Sequence, residues 1–316
     1  MQEAHGKWRF AEVAHIDRLL TDFSIEYANE EAAFVGLQVL PALQVKFESD
    51  KFLKYKKGNN FQLPDAKRAI RTKYKRISWE TDTDSYKCEE YGLEDLIDDR
   101  ERQNTDAPMD QDQDTTGTLT KAMLLLHETR VTSLVTSTAN VTLNTTLSGT
   151  SQWSDYDDSD PFAAIETGID AVQAATGMRP NTMVMGYAVW AKLKHHPDLL
   201  DRIKHTQKGV MTTDLLAALL GLDAVYVSRA VKNSAKEGQT VSLGYVWGKD
   251  ALLYYRKPGR PTLRSLTFGV TFMSRDWQTE RYREETAKSD VFRVSHVVDE
   301  KLVAADVAYL IKDAVA

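Results

Sequence analysis

The sequence predicts an α+β protein in which a compact α/β body carries a long, poorly self-sufficient ribbon. Three observations predict it. Residues 160–255 alternate well-punctuated helices with short apolar strands. Residues 39–79 alternate in part like strands and are interrupted by a turn. The charge also reverses along the chain. Residues 46–76 carry eleven basic side chains against three acids, a net of +8, and residues 80–114 carry fourteen acids against three bases, a net of −11. The whole chain is −6, so the remainder stands at −3. Adjacent blocks of opposite sign read as surfaces made to meet, within one chain or between copies.

Composition bounds the class. With 316 residues, 42% hydrophobic and 27% charged, the chain can bury a substantial core in one elaborated domain or two. A net charge of −6 argues against a protein whose whole surface grips nucleic acid. The single Cys88 forms no intramolecular disulfide and suits a reducing compartment. The opening MQEAHGKWRFAEVAHIDRLL lacks the apolar core and cleavage site of a signal peptide, and no stretch approaches the ~18 apolar residues of a membrane span. These features point to a soluble intracellular product.

Residues 10–35 carry Phe10, Val13, Ile16, Leu20 and Phe23 at helical spacing, and Pro41 ends that region. VLPALQVKF and AIRTKYKRISW then read as the two strands of a ribbon, with Lys57-Gly58-Asn59-Asn60 in the turn because Gly and Asn tolerate positive φ. A two-stranded ribbon is marginal alone and needs a surface to lie on. In the acidic block, LEDLIDDRERQ is a short helix candidate, followed by a polar linker around Asn104–Asp114. A longer amphipathic helix follows, with Leu119, Met123 and Leu126 on one stripe and Leu124, Val131 and Leu134 beside it. It fades into β-branched, polar VTSTANVTLNTTLSGTSQW, which favours strand and turn.

From Asp160 the punctuation sharpens. Asp160-Pro161 is an N-cap followed by an N1 proline, Phe162, Ile165, Ile169 and Val172 share a face, and Gly177 stops the helix. TMVMG is a short buried strand, and YAVWAKLKHH and PDLLDRIKH are helices divided by Pro197. TTDLLAALLG is a helix capped by Thr and stopped by Gly221. AVYVS, VSLGYVWG, ALLYY and LTFGVTF read as strands, and DVFRVSHVV with VAADVAYLIKDAVA as a strand pair or a strand and a short helix.

Catalytic motifs are missing: there is no phosphate-binding loop, no G-x-G-x-x-G between strand and helix, no H-E-x-x-H and no G-x-S-x-G. His195-His196 with Asp198 and Asp201 is the nearest acid–base or metal cluster, but neighbours on a helix point about 100° apart and do not share a ligand naturally. The blander reading is a polar helix end. The acids Asp155, Asp157, Asp158 and Asp160 lack the Gly and closing Glu of a calcium loop. The basic ribbon, interleaved with Phe52, Tyr55, Phe61, Tyr74 and Trp79, could bind nucleic acid, although the acidic block beside it would repel phosphate. No metal, cofactor or catalytic residue is assigned.

At 153–255 a further pattern emerges. WSDYDDSDPFAAIETGIDAVQAATGMRPNTMVMGYAVWAKLKHHPDLLDRIKH, then TTDLLAALLGLDAVYVSRAVKN and YVWGKDALLYY, resembles tailed-bacteriophage major capsid proteins of the Hong Kong 97 type. The resemblance implies a Hong Kong 97-like capsid fold: an N-terminal arm (1–43), an extended loop (44–87), a peripheral domain with a long spine helix (88–152 and 286–316) and an axial α/β domain (153–285). It implies a structural protein rather than an enzyme, self-assembling as hexamers and pentamers into an icosahedral head around double-stranded DNA, with no cofactor. It also implies a virion component made in the host bacterial cytoplasm, with portal and scaffold partners and, in some members, a maturation protease or decoration proteins. Some members cross-link an extended-loop lysine to a neighbour's asparagine, but no local motif marks such a lysine here.

On that layout the ribbon of one copy reaches the root of the next. The expected contacts are Lys51, Phe52, Lys54, Tyr55, Lys56, Lys57, Phe61, Arg68 and Arg71 on the loop. Their expected acidic partners are Glu89, Glu90, Glu94, Asp95, Asp98 and Asp99. Three rivals stand beside this reading: an encapsulin-like shell of the same fold enclosing cargo enzymes, an oligomeric hydrolase using His195 or His196 near Asp198, and a nucleic-acid-binding module working through the ribbon.

Overall fold

The computed structural model describes residues 15–16, 33–55, 58, 61, 63–78, 80–103, 108–203, 211–236, 238–262 and 266–316. In chain order the first elements are β1 (His15–Ile16), α1 (Gly36–Val39), β2 (Ala42–Gln44), β3 (Ser49–Tyr55), β4 (Thr81–Lys87) and β5 (Glu89–Asp98). Then come α2 (Asp99–Gln103), α3 (Pro108–Val135), β6 (Asn144–Thr146), α4 (Pro161–Thr176), β7 (Thr182–Gly186), α5 (Tyr187–Leu193), α6 (Pro197–Ile203) and α7 (Thr213–Leu220). The chain ends with β8 (Ala224–Ser228), β9 (Val231–Asn233), β10 (Leu243–Tyr245), β11 (Ala251–Tyr254), β12 (Gly269–Glu284), β13 (Ser289–Leu302) and β14 (Ala308–Lys312).

Two five-stranded sheets organise the molecule. The first runs β1-β12-β13-β5, with β2 added parallel to β12. Its long central hairpin, β12 and β13, is irregular between Met273 and Gln278. The 28-residue helix α3 crosses this sheet, packing Leu119 and Met123 against Ile97, Phe292 and Val294. The second sheet runs β6-β14-β11-β7-β8 and is buried on both faces. Alternation along its strands divides the two cores. Met183, Met185, Leu253 and Ile311 face the helices α4–α7, where Trp153, Ile165, Leu193 and Leu216 complete the layer. Val184, Leu252, Tyr254 and Leu310 face the other way, onto Val131 and Val135 of α3, Val39, Leu40, Trp247 and Phe268. A strand buried on both faces needs a continuous apolar run, which is why TMVMG and ALLY contain no polar alternation.

The local punctuation acts as expected. Asp160 accepts the Ala163 N–H at 2.9 Å with Pro161 beginning α4, and Gly177 closes it at φ 68°. Thr212 accepts the Leu215 N–H and Gly221, at φ 64°, closes α7. Helix α3 solves a different problem, because it buries Thr116, Thr120 and Thr132. Each hydroxyl donates to the carbonyl four residues back, at 2.7–2.9 Å, so none of the three is left bare.

Several expectations are corrected by long-range pairing. The return strand of the ribbon is β4, not AIRTKYKRISW: residues 69–78 form no strand. The register sets Lys54 opposite Asp82 and Phe52 opposite Asp84, whereas pairing with 69–79 would set cations against cations. LEDLIDDRERQ is strand up to Asp98 and helical only from Asp99, because β5 pairs with the buried β13 along its whole length. The linker expected at Asn104–Asp114 is already helix from Pro108, a proline at the N1 position, and Arg102 and Arg281 hold Asp112 near its start. The helical reading of 10–35 lies largely outside the described residues; within it His15–Ile16 pairs with β12 and Gly36 opens α1 just after it. β12, assigned to the axial unit, pairs with β13 in the first sheet, and β14, assigned to the peripheral unit, lies between β11 and β6 in the second.

Candidate assembly surface

The ribbon β3–β4 rests on the first sheet by a small apolar foot. Phe52 and Tyr86 pack on Phe272, with ring centroids 5.6 and 4.4 Å apart, and Cys88 is buried beside them. Burial raises the Cys88 thiol above its ordinary pKa, so it is a packing residue and not a reactive one. Lys301 reaches up from β13 to Asp84 and fixes the base of β4. Phe52, expected against a neighbour, is therefore used by its own fold. Lys51 and Lys54 are exposed on β3, whereas Lys56, Lys57 and the Tyr55 side chain lie outside the described residues.

Between the two strands, residues 63–78 form no regular structure apart from a turn at Ile70–Arg71. Arg71 adopts φ 65°, and Thr72 secures the turn by donating its hydroxyl to the Ala69 carbonyl at 2.9 Å. Leu63, Ile70 and Tyr74 are 99%, 90% and 79% exposed, and Ile77 is exposed too. Arg68 stacks over Tyr74 at 4.6 Å, and Lys75 pairs with Asp65. Among the described residues no carboxylate pairs with Lys67, Arg68, Arg71, Lys73 or Arg76. Phe61 lies over Gly177, where an added Cβ would come within 3.3 Å of its ring. This stretch is a basic surface studded with apolar side chains that its own chain leaves open.

The acidic segment is the reverse case. Its carboxylates are met from β12 and β13. Arg293 pairs with Glu94 at 2.8 Å and holds that carboxyl below its ordinary pKa. Arg283 binds both oxygens of Asp99 at 2.6 Å, lowering it as well, and Arg275 pairs with Glu90. Glu89 lies 3.6 Å from the Lys87 ammonium. Asp95 and Asp98 accept the backbone N–H of Leu96 and Arg100. Deeper in, Asp290 receives Arg102 at 2.7 Å and Arg281 at 2.9 Å, with Arg283 3.6 Å away. Burial would raise the Asp290 carboxyl, but these arginines, Arg281 first, hold it below the ordinary value. The sequence reading missed these arginines. Their signal was the alternate spacing of Arg281 and Arg283 in TERYREE, which sets both on one face of a strand.

A second polar cluster fastens α3 to the sheet. Arg130 pairs with Glu300 at 2.7 Å and stacks 3.8 Å over Tyr91, beside the buried His127 and His296. Trp277 closes the cluster, its ring centroid 4.4 Å from that of His296. Burial, then the Arg130 cation, depresses His127 to about 3. Burial, His127 and Arg130 together depress His296 to about 3 against the pull of Glu300.

The pair His195 and His196 is split. His195 is exposed, while His196 is buried with Nε2 3.0 Å from the Ser159 hydroxyl and Nδ1 3.8 Å from Asp198. Among the described residues no group of three His, Cys, Asp or Glu side chains could hold a metal ion, and no helix is long and apolar enough to cross a membrane. His196 joins the loop before α4 to the start of α6, a structural role.

The family model described as phage major capsid protein E matches residues 136–226. A major capsid protein of Burkholderia phage BcepMu is 30% identical over 311 residues, spanning 96% of this chain and 98% of that protein. A crystal structure of a phage-related protein from Bordetella bronchiseptica RB50 superposes with a TM-score of 0.76 at 26% identity, covering 96% and 99% of the two chains. The capsid structure of cyanophage P-SCSP1u shares the fold, with a TM-score of 0.59 at 9% identity over 99% and 92% of the chains. The α+β architecture is that of the Hong Kong 97-type capsid, and the relatives are structural proteins, not enzymes. An open basic loop on a body of this fold, with full-length similarity to a phage head protein, places the chain in the family of phage major capsid proteins.

Proposed function

We propose that copies of this chain assemble as hexamers and pentamers into the icosahedral head of a tailed bacteriophage, enclosing double-stranded DNA without reading its sequence. The observation that supports this most directly is the stretch 63–78, which exposes Leu63, Ile70, Tyr74 and Ile77 among unpaired cations. Side chains of that kind are stable in water only at a cost unless another surface covers them. In this reading the extended loop lies across the next copy and offers it Lys51, Lys54, Tyr55, Lys56, Lys57, Phe61, Arg68 and Arg71.

Magnitudes rank the contacts. A fully buried Leu or Ile contributes about 1.5–3 kcal/mol, an exposed ion pair about 0.2–1 kcal/mol. The apolar residues of the loop therefore supply most of the affinity, and the cations steer and set register. On the receiving side Glu90, Glu94 and Asp99 already have arginine partners and Glu89 lies beside Lys87, so Asp95 and Asp98, which accept backbone N–H groups, are the acids most open to a neighbour's cations. Contacts weak one by one allow correction during growth, and their repetition around a closed shell makes the end state stable.

The division into domains follows the sheets. The first sheet with α3 as spine forms the peripheral domain, and the second sheet with α4–α7 forms the axial domain. Portal and scaffold proteins, and in some relatives a protease or decoration proteins, complete the set of partners, and synthesis takes place in the host bacterial cytoplasm. The names of the relatives favour a genome-bearing head over a cargo-bearing shell. Electron microscopy of the expressed chain tests the reading. Leu63→Asp with Ile70→Asp should abolish closed shells while leaving the far-ultraviolet circular dichroism of the subunit unchanged. Shells of normal number and size from that double variant would reject it.

A further inference from the structure

Glu128, in the middle of α3, is 1% exposed, an unusual place for a carboxylate. Four donors meet it. Oε2 accepts the backbone N–H of Val35 at 3.0 Å and of Gly36 at 2.6 Å. Oε1 accepts the Trp247 indole N–H at 2.5 Å and the Ser228 hydroxyl at 3.0 Å. Burial pushes this carboxyl above its ordinary pKa, and the four donors oppose that push. The donors come from three segments remote in sequence: the stretch entering α1, the end of β8 and the turn before β11. The first is also tied directly to the second, since the Arg229 N–H donates to the Ala33 carbonyl at 3.2 Å. Residue 36 has little room for a side chain, because a Cβ there would stand 3.0 Å from Oε2 and 3.4 Å from His127 and Val131. Glycine lets the backbone approach the carboxylate.

We propose that Glu128 is a latch: one buried carboxylate that seats residues 33–40 on the body and makes their seating depend on Trp247 and Ser228 across the second sheet. The physical reason is shared satisfaction. A buried carboxylate is tolerated only while its oxygens are bonded, so loss of the donors on one oxygen weakens the site that holds the donors on the other. Residues 33–40 form a junction that bonds the body at other points as well; the Gln38 carbonyl accepts Arg256 at 3.1 Å and the Leu40 carbonyl accepts Thr271 at 2.9 Å. The latch thus makes the position of that junction and the packing of the Trp247 turn a single variable. This follows from the subunit's own geometry and is independent of which neighbour the extended loop meets.

Amide hydrogen exchange on the full chain tests it. Trp247→Phe removes a donor to Oε1 and makes no bond to residues 33–40. It should speed exchange at Val35 and Gly36 about ten- to a hundred-fold, as expected for losing a charge-assisted bond in a coupled site. Glu128→Gln should do the same, because its amide has one acceptor oxygen and must turn a donor towards donors. Phe268→Leu, in the same core but with no bond to Glu128, is the control and should leave those two amides at their original rate relative to the interior of α4. Unchanged exchange at Val35 and Gly36 in Trp247→Phe would overturn the latch, and so would an equal rise in Phe268→Leu. Should Glu128→Gln not fold, the Trp247→Phe and Phe268→Leu pair decides the matter alone.

Discussion

The acidic strand β5 and the basic stretch 63–78 carry net charges of −5 and +5, yet the fold treats them in opposite ways. Glu90 and Glu94 of β5, and Asp99 just after it, are paired inside the subunit with Arg275, Arg293 and Arg283 of β12 and β13. The cations at 67–76 stand in solvent with one intrachain ion pair, Lys75 to Asp65, among the described residues. Two adjacent blocks of opposite charge are thus not simply each other's partner. Acids that sit on a strand lie within reach of arginines on the same sheet, and such pairs secure the sheet. Cations on a loop without secondary structure have no such partners, and their apolar companions stay uncovered. The first region belongs to the stability of one subunit, the second to its meeting with another.

If that contrast is right, disturbances on the sheet should unfold the subunit and disturbances on the loop should not. The largest expected effect comes from acid. His127 and His296 are held near 3 in the folded protein but titrate near 6.5 once unfolded, so below 6.5 the unfolded state binds more protons. Their stabilising contribution is complete above that value and is lost progressively as pH falls towards 3. At about 1.4 kcal/mol per pH unit for each histidine, going from pH 6.5 to 4.5 should cost up to about 5 kcal/mol. Urea unfolding of the subunit against pH measures this, and a His127→Gln, His296→Gln double variant should flatten the slope.

Next in size is Asp290→Ala, which strips three half-buried arginines of their common carboxylate. It should lower stability by about 2–4 kcal/mol, read as a shift of the urea midpoint without a change in slope. Arg293→Ala removes a more exposed partner of Glu94 and should cost no more than about 1 kcal/mol. Smallest of all, Lys67→Glu with Arg68→Glu and Arg71→Glu should move the midpoint by less than about 0.5 kcal/mol, while particle yield falls. A loop triple variant that unfolds the subunit, or an Asp290→Ala subunit as stable as the parent, would erase the distinction between the two regions.

What could be read from residues alone was whatever is decided within a few positions. Asp160-Pro161, Gly177, Thr212 and Gly221 bound their helices as expected, because an N-cap or a left-handed stop depends only on its own turn. TMVMG and ALLYY were legible as buried strands because burial on both faces leaves a continuous apolar run. The family pattern lay in that same well-punctuated half. Partner choice was not legible. LEDLID became strand because β13 offered a full-length buried ladder, and the ribbon returned through TDTDSYK, where Asp82 faces Lys54 and no cation is set against a cation of β3. The arginines that quiet the acidic block come from almost two hundred residues away, as in the separation of 199 between Arg293 and Glu94. The four donors around Glu128 converge from as far as 119 residues along the chain. Sequence by itself determined the class, the capped elements and the reversal of charge, since each is a local or compositional property. Tertiary structure alone decided which charges are spent inside the subunit and which remain for a neighbour, because a charge is neutralised by what lies beside it in space.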